Sequence, residues 1–310
     1  MAASAGRPLR VGVQLPEVER EVRWPEYLAM ARRAEELGYD SLWLGDHLLY
    51  RLPDGSSRGP WEAWTMLSAI AASTSRIRLG PLVASTAFHA PAMLAKLAAT
   101  VDEISDGRLV LGLGAGWNET EFRAFGFPFD HRIDRFEEAF TIIRTLLREG
   151  AIDFDGRYYQ ARDCELLPRP ARPGGPPLLV GSRGERMLRI TLPYVDAWNV
   201  WFSDTENSPE GVAPLRELVD GICRDVGRDP AEVERTVAVQ VRLTGGSGRI
   251  QGDYARARYE PLSGSTEIMA EALRAYARAG ISEVQLVLDP ISLASIEEFA
   301  SVLEQLDRPH

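Results

Sequence analysis

Segments with the pattern of β-strands alternate with helical segments along this chain, and this alternation restricts the fold more than any other feature. Short β-rich runs predict strands at residues 10–15, 41–45, 76–84, 108–116, 177–181, 194–202, 235–243 and 283–288. Predicted helices cover about 25–37, 61–73, 132–149 and 294–306, and Pro91 marks the start of another. Eight strand–helix units in 310 residues predict an α/β protein, a single (β/α)₈ TIM-barrel domain over residues 1–310. An open doubly wound sheet is the alternative.

Three segments interrupt the alternation, at residues 50–60, 151–176 and 244–265. The first and third directly follow predicted strands, and the second follows the helix after the fourth strand. We expect each insertion either at the C-terminal rim, the end of the barrel where strands end and where catalytic and binding groups collect, or after a helix that starts from that rim. The second contains a predicted hairpin with its turn at Asp155–Gly156. Glycines in the third predict a mobile lid.

Charge and composition argue against several classes of protein. The formal net charge of −10 disfavours nucleic acid or an anionic membrane as a partner, because phosphate-rich surfaces bind basic proteins. No apolar run approaches the roughly 20 residues of a membrane span. The N-terminal residues lack the apolar segment of a signal peptide, so we expect a cytoplasmic protein. Cys164 and Cys223 have no CxxC spacing and agree with a reducing compartment.

The residue types present also restrict the chemistry. The single lysine, Lys96, falls in a predicted helix, so catalysis through a lysine Schiff base is a poor match. No group of His, Cys, Asp and Glu residues has metal-ligand spacing, and we therefore expect no metal. No nucleophile elbow supports Ser-His-Asp catalysis.

Asp46 and His47 follow the second predicted strand and so belong to the C-terminal rim. An imidazole at this place is suited to donate a proton to a cofactor or substrate, or to accept one. The alternative is a histidine that holds the rim together through structural hydrogen bonds. Position alone leaves both interpretations open.

A glycine-rich motif, GLGAGWNETEF, ends the fourth predicted strand. The spacing of Gly112, Gly114 and Gly116 resembles a dinucleotide-binding fingerprint. Trp117 occupies the position of the third required glycine, however, and the motif is not in the first strand–helix unit, so we reject that interpretation. Glycines here let a flat ring approach the backbone closely, with Trp117 and Asn118 facing the pocket. A tight turn capped by Asn118 is the alternative.

The run GSRGERMLRI follows the fifth predicted strand and opens a helix. Backbone N–H groups from Gly181 to Gly184 are suited to hold a phosphate at such a helix start. The Ser182 hydroxyl and the Arg183 guanidinium add a donor and a cation. The alternative is an ordinary helix N-cap.

Four sequence runs carry a resemblance to a known family. They are GYDSLWLGDHLL, RIRLGPLVASTAFHAPAMLAKLAATVDEISDGRLVLGLGAGWNETEFRAFGFPFDHRIDRFEEAFTIIRTLL, PPLLVGSRGERMLRI and YVDAWN. Together they resemble the bacterial luciferase-like monooxygenase superfamily, above all its actinobacterial members that use the deazaflavin coenzyme F420. The resemblance covers about residues 9–202 and is looser beyond them. It implies a barrel with F420 or FMN lying across its C-terminal mouth.

The resemblance also implies roles for rim residues. It implies that His47 lies near the ring system and that the loop from Gly114 through Gly116 to Asn118 lies beside the ring. The loop Gly181–Gly184 would hold the phosphate.

The third strand carries a further implied feature. In F420-using relatives a non-proline cis peptide forms a bulge behind the deazaflavin, and here that bond joins Leu82 to Val83, next to Ala84. Trp117 stands near the place where a sugar-phosphate dehydrogenase relative has an acidic catalytic residue. A sugar phosphate is therefore not the expected substrate.

Hydride transfer between F420 and a small organic substrate is the expected function, with His47 as proton donor or acceptor. The alternative is an FMN-dependent monooxygenase that receives reduced flavin from a separate reductase and activates oxygen. A catalytically silent flavin-binding barrel is the third interpretation, and the intact pair of Asp46 and His47 argues against it. Relatives commonly pair through barrel helices, which leaves a homodimer open.

Overall fold

The computed structural model describes residues 6–170, 172–247 and 259–308. Its strands, in chain order, are β1 (Arg10–Gln14), β2 (Ser41–Leu44), β3 (Tyr50–Arg51), β4 (Ser57–Arg58), β5 (Arg78–Pro81), β6 (Ala84–Ser85), β7 (Leu111–Gly114), β8 (Ala151–Asp155), β9 (Gln160–Glu165), β10 (Leu178–Gly181), β11 (Ala197–Val200), β12 (Glu234–Arg242) and β13 (Glu283–Asp289). Its helices are α1 (Trp24–Glu36), α2 (Ala63–Ser73), α3 (Pro91–Ile104), α4 (Glu119–Phe125), α5 (Arg132–Arg148), α6 (Glu185–Thr191), α7 (Pro209–Asp225), α8 (Thr266–Arg278) and α9 (Leu293–Asp307).

Parallel strands form one sheet in the order β5-β2-β1-β13-β12-β11-β10-β7-β6. The two ends of this sheet, β5 and β6, are successive pieces of the third barrel strand, interrupted at Leu82 and Val83. β5 pairs with β2, β6 pairs with β7, and a bridge between Leu79 and Leu109 closes the ring. The predicted (β/α)₈ barrel is confirmed, and the open doubly wound sheet is wrong.

Barrel strands send alternate side chains to their two faces. In β1, Val11 and Val13 are fully buried in the core between the sheet and the surrounding helices. A separate apolar cluster fills the inside of the barrel. Its buried members are Trp43, Leu82, Val110, Leu179 and Ala197.

A buried ion cluster fills the end of the barrel where strands begin. Glu283, the first residue of β13, accepts hydrogen bonds from Arg10 Nε at 3.0 Å and from the Arg78 guanidinium at 3.1 Å. The Ser41 hydroxyl donates to the same carboxylate at 2.6 Å. Arg10, Ser41 and Arg78 are themselves the first residues of β1, β2 and β5. These groups satisfy one another's charges and hydrogen bonds. A ligand is therefore expected at the opposite end of the barrel, the C-terminal rim.

The insertion after α5 forms the predicted hairpin, β8 and β9, and the Gly156 N–H donates to the Tyr159 carbonyl at 2.9 Å across its turn. Glu138 of α5 accepts hydrogen bonds from the backbone N–H groups of Arg157, Tyr158 and Tyr159. The hairpin thus runs along the outer wall beside α5, because it starts where α5 has returned the chain to the opposite end of the barrel.

The first insertion and the described ends of the third lie at the C-terminal rim. Residues 50–60, expected as a loop, contain the small antiparallel pair of β3 and β4. Leu262, near the end of the third insertion, forms a bridge to Val241 of β12. Residues 248–258 lie outside the described residues, so the mobile lid stays a prediction.

In the described part of the chain no helix is long and apolar enough to cross a membrane.

Candidate active site

His47 stands just beyond the end of β2, with both ring nitrogens next to carboxylates. Its Nδ1 donates to Glu121 Oε1 at 2.8 Å, and its Nε2 lies 3.4 Å from Glu17 Oε1. The side chain of His47 is 18% exposed, whereas those of Glu17 and Glu121 are buried. The imidazole is therefore held by two buried acids and still reaches the mouth of the barrel.

Other groups fix the two acids in place. Glu121, on α4, also accepts hydrogen bonds from the backbone N–H groups of Leu48 and Leu49. Glu17, in the loop after β1, accepts from the Gln14 amide at 2.6 Å and from the Tyr50 hydroxyl. A side chain at Gly45 would collide with the Glu17 carboxylate, at 2.7 Å from its Cδ.

The sequence analysis did not identify either acid. Glu121 has the pattern of a solvated charge in the first turn of a helix, and Glu17 that of a loop residue after a proline. A search for every carboxylate that follows a barrel strand would have found both, since one follows β1 and the other follows β7.

The charges around His47 favour its protonated form. Burial of the imidazole opposes the charge, but the carboxylates of Glu17 and Glu121 outweigh it and raise the pKa of His47 above its usual value. Asp46 adds a smaller attraction of the same sign. The resulting group is suited to donate a proton near neutral pH and to take it back.

Asp46 bonds to the third strand and not to a nitrogen of the neighbouring imidazole. Its Oδ2 accepts the Ser85 N–H at 2.9 Å and lies 3.2 Å from His89 Nε2. Asp46 is buried, at 4% exposure. It is positioned to hold the end of the third strand against the second, whereas His47 faces the acids on the other side.

The peptide bond between Leu82 and Val83 is cis, as the resemblance implied, and it separates β5 from β6. The half-buried side chain of Val83 occupies the space left by glycines of the facing strands. A Cβ at Gly114 would lie 2.6 Å from Val83 Cγ2, and one at Gly181 would lie 3.1 Å from both Val83 methyl groups. The room at these glycines is thus filled by Val83, which presents an apolar surface at the mouth, beside Ala84.

The loop after β7 combines one exposed and one structural side chain. Trp117 is 40% exposed and meets the His47 ring edge to face, with centroids 5.3 Å apart. The Asn118 amide donates to the Leu49 carbonyl at 3.0 Å and so ties this loop to the one after β2. Gly116 has φ +73°, and a Cβ there would meet the Ser85 hydroxyl at 2.5 Å.

The loop before α6 is partly exposed at Ser182 and exposed at Arg183 and Gly184. The Ser182 hydroxyl accepts the Gly184 N–H at 3.1 Å, and the Ser182 carbonyl accepts Trp198 Nε1 at 2.6 Å. Arg183 lies 3.3 Å from Asp204 and points into solvent. No side chain caps the first N–H groups of α6 among the described residues, which differs from the ordinary N-cap alternative.

These rim features fit a flat ring that ends in a phosphate. Val83 offers an apolar surface, His47 offers an imidazole at the same rim, and the loop Gly181–Gly184 offers uncapped N–H groups with a cation. Within the described ranges no cluster of three or more His, Cys, Asp or Glu residues could hold a metal ion.

A family model described as luciferase-like monooxygenase matches residues 9–280. The chain is 36% identical over 172 residues to pyrimidine monooxygenase RutA of Methylobacterium radiotolerans, covering 54% of this chain and 44% of that protein. It is 31% identical over 176 residues to the 5,10-methylenetetrahydromethanopterin reductase of Archaeoglobus fulgidus, covering 57% of this chain and 49% of the relative. The chain thus spans about half the length of these relatives.

Among solved structures, an F420-dependent secondary alcohol dehydrogenase in complex with an F420-acetone adduct superimposes with a TM-score of 0.80 at 19% identity. The superposition covers 97% of this chain and 99% of the dehydrogenase. At this level of identity the likeness shows the shared barrel fold.

Proposed function

Because the chain belongs to the luciferase-like monooxygenase family, we propose that this oxidoreductase uses F420 and transfers a hydride between the deazaflavin and an organic substrate. Its relatives include both a reductase and a monooxygenase. Membership of this family therefore supports an enzyme that uses a flavin or deazaflavin cofactor. The choice of F420 and of hydride transfer is the proposal.

The observation that carries the proposal is the position of His47 between two buried carboxylates. Reduction of a carbonyl, or oxidation of an alcohol, needs a proton to move at the substrate oxygen when the hydride moves at carbon. His47 is a partly exposed imidazole that lies 2.8 Å from Glu121 and 3.4 Å from Glu17, and the two carboxylates raise its pKa. A catalytically silent barrel would have no use for such an arrangement.

The remaining rim residues bind and orient. Bound F420 supplies a ring carbon that gives or takes the hydride. Val83 backs the ring with an apolar surface, and Trp117 closes the side next to His47 and limits the access of water. Ser182 and Arg183, with the free N–H groups of α6, hold the phosphate.

An FMN-dependent monooxygenase is the second candidate, and the 36% identity to RutA favours it. In that case a separate reductase supplies the reduced flavin, and the same Val83 surface and phosphate loop bind FMN. His47 would then hold a proton near the site of oxygen activation. The relatives' substrates do not carry over, because the chain covers about half of each of those proteins.

A binding experiment separates the two cofactors. Purified protein is titrated with F420 and, in parallel, with FMN, while the fluorescence of its tryptophans, including Trp117 beside His47, is followed. We expect saturable quenching by F420 at concentrations at least tenfold below those needed for FMN. Tight binding of FMN with none of F420 would overturn the choice of F420.

A further inference from the structure

A groove between α5 and α6 lies on the outer wall of the barrel, next to the loop Gly181–Gly184. It has a volume of about 720 Å³, and Phe140, Ile190 and Tyr194 form its apolar part. Its charged lining comprises three arginines, at positions 144, 186 and 189, and two glutamates, at positions 137 and 185. Glu185, the first residue of α6, is part of the same lining, so the groove begins directly beside the candidate phosphate loop.

The three arginines are not equivalent. Arg186 and Arg189 each pair with two carboxylates. Arg144 has no such partner among the described residues, and its Nε is buried without a hydrogen bond. It therefore carries an uncompensated positive charge into a groove of a chain whose net charge is −10.

Tyr194 holds the Arg144 side chain in place. The guanidinium carbon lies 4.0 Å from the centroid of the Tyr194 ring, and Tyr194 is 47% exposed. Stacking of this kind fixes a guanidinium while leaving its N–H donors available. Two N–H donors beside an apolar wall are suited to a carboxylate that is carried on a carbon chain.

We propose that this groove binds the oligoglutamate tail of F420, with a tail carboxylate on Arg144. The inference rests on the proposed use of F420: FMN ends at its phosphate, whereas F420 continues beyond the phosphate as a chain of glutamates. The seven residues of α6 span about 10 Å at 1.5 Å each. Three glutamyl units, each at least as long as the roughly 3.5 Å of an extended residue, match the length of α6, whose last residue accepts the N–H of Tyr194 at 2.9 Å.

A cofactor-free experiment tests the groove alone. The γ-linked triglutamate is titrated into the protein at low salt by calorimetry. We expect saturable binding that Arg144→Gln weakens about tenfold, the equivalent of one charge-assisted contact. Arg32→Gln, which removes an exposed arginine from α1, is the control and leaves the affinity unchanged. Absence of binding, or equal binding by Arg144→Gln, overturns the inference.

A second experiment separates the groove from the choice of cofactor. F420 with three glutamates and F420 without glutamates are compared by fluorescence quenching in wild type and Arg144→Gln. We expect Arg144→Gln to weaken only the long form. Equal affinities for both forms would overturn the tail groove and leave F420 use intact. Failure of the short form to bind, with the long form and triglutamate both still bound through Arg144, would overturn the proposed function and leave the groove as a site for a glutamate chain.

Discussion

His47 Nδ1 donates to Glu121 Oε1 at 2.8 Å, although the two residues are 74 positions apart in the chain. Glu121 is fully buried and also accepts backbone N–H groups from Leu48 and Leu49, directly after the histidine. One carboxylate therefore fixes both the imidazole and the backbone that carries it. This pairing sets the orientation of His47 and keeps its Nε2 towards Glu17.

Replacement of Glu121 by Gln is expected to change the pH dependence of turnover. The Glu121 and Glu17 carboxylates raise the pKa of His47 against the opposing effect of burial, so loss of one charge lowers it. The limb of the pH–rate profile that reports His47 should move to lower pH, whether His47 acts as acid or as base. The measurement is kcat against pH with the bound cofactor.

Two variants serve as controls for that profile. Glu119→Gln removes an exposed charge two positions earlier on α4 and should leave the limb in place. His47→Ala should lower kcat by about 10²–10⁴-fold, the range of general acid–base catalysis, with little change in cofactor affinity. Wild-type turnover by His47→Ala would refute its role in proton transfer.

Asp46→Ala is expected to act mainly on the third strand. The change removes the acceptor of the Ser85 N–H at 2.9 Å and the contact with His89 at 3.2 Å. These buried groups then lack a partner, which lowers the free energy of unfolding by about 1–3 kcal/mol. The His47 limb should move less than in Glu121→Gln, because Asp46 is the weakest of the carboxylates that raise the His47 pKa. A larger shift in Asp46→Ala would contradict the weaker effect of Asp46 on the His47 pKa.

The barrel and part of the site follow from local sequence patterns. The eight strands come from short β-rich runs, Pro91 marks the start of α3, and His47 is placed at the rim because it follows a strand. The pairing of His47 with Glu121 is different, since only closure of the barrel brings β2 next to α4. No local pattern encodes that Val83 fills the space at Gly114 and Gly181, because these residues belong to three separate strand ends.

Glu283→Gln is expected to destabilise the fold without touching the rim. The substitution leaves the guanidinium groups of Arg10 and Arg78 beside a neutral amide in a buried site. Removal of one partner from such a cluster costs about 3–5 kcal/mol, which urea unfolding measures. Glu119→Gln, in an exposed pair with Arg123, is the control and should change stability by less than about 1 kcal/mol.

The Glu283 cluster also predicts a dependence of stability on pH. Burial works against the charge of Glu283, but Arg78 and Arg10 prevail and lower its pKa. A carboxyl whose pKa is lowered by folding contributes stability above its unfolded pKa of about 4.3 and loses it as pH falls through the folded value. The melting temperature of wild type should therefore fall more steeply below about pH 4.3 than that of Glu283→Gln. Parallel curves would contradict this contribution.

Two glycines that face Val83 predict opposite outcomes in a double-mutant cycle. A Cβ at Gly114 would lie 2.6 Å from Val83 Cγ2 and meets no other atom closer than 3.8 Å, so Gly114→Ala should cost about 1–3 kcal/mol and Val83→Ala should relieve it. A Cβ at Gly112 would lie 2.2 Å from the Pro81 carbonyl oxygen, which no side-chain change removes. Gly112→Ala should therefore keep most of its cost in the Val83→Ala background, which removes only the second contact, at 2.9 Å to Val83 Cγ1. Urea unfolding of the three single and two double variants measures both couplings, and a rescue of Gly112→Ala as large as that of Gly114→Ala would contradict the assignment of Val83 as the filler of this space.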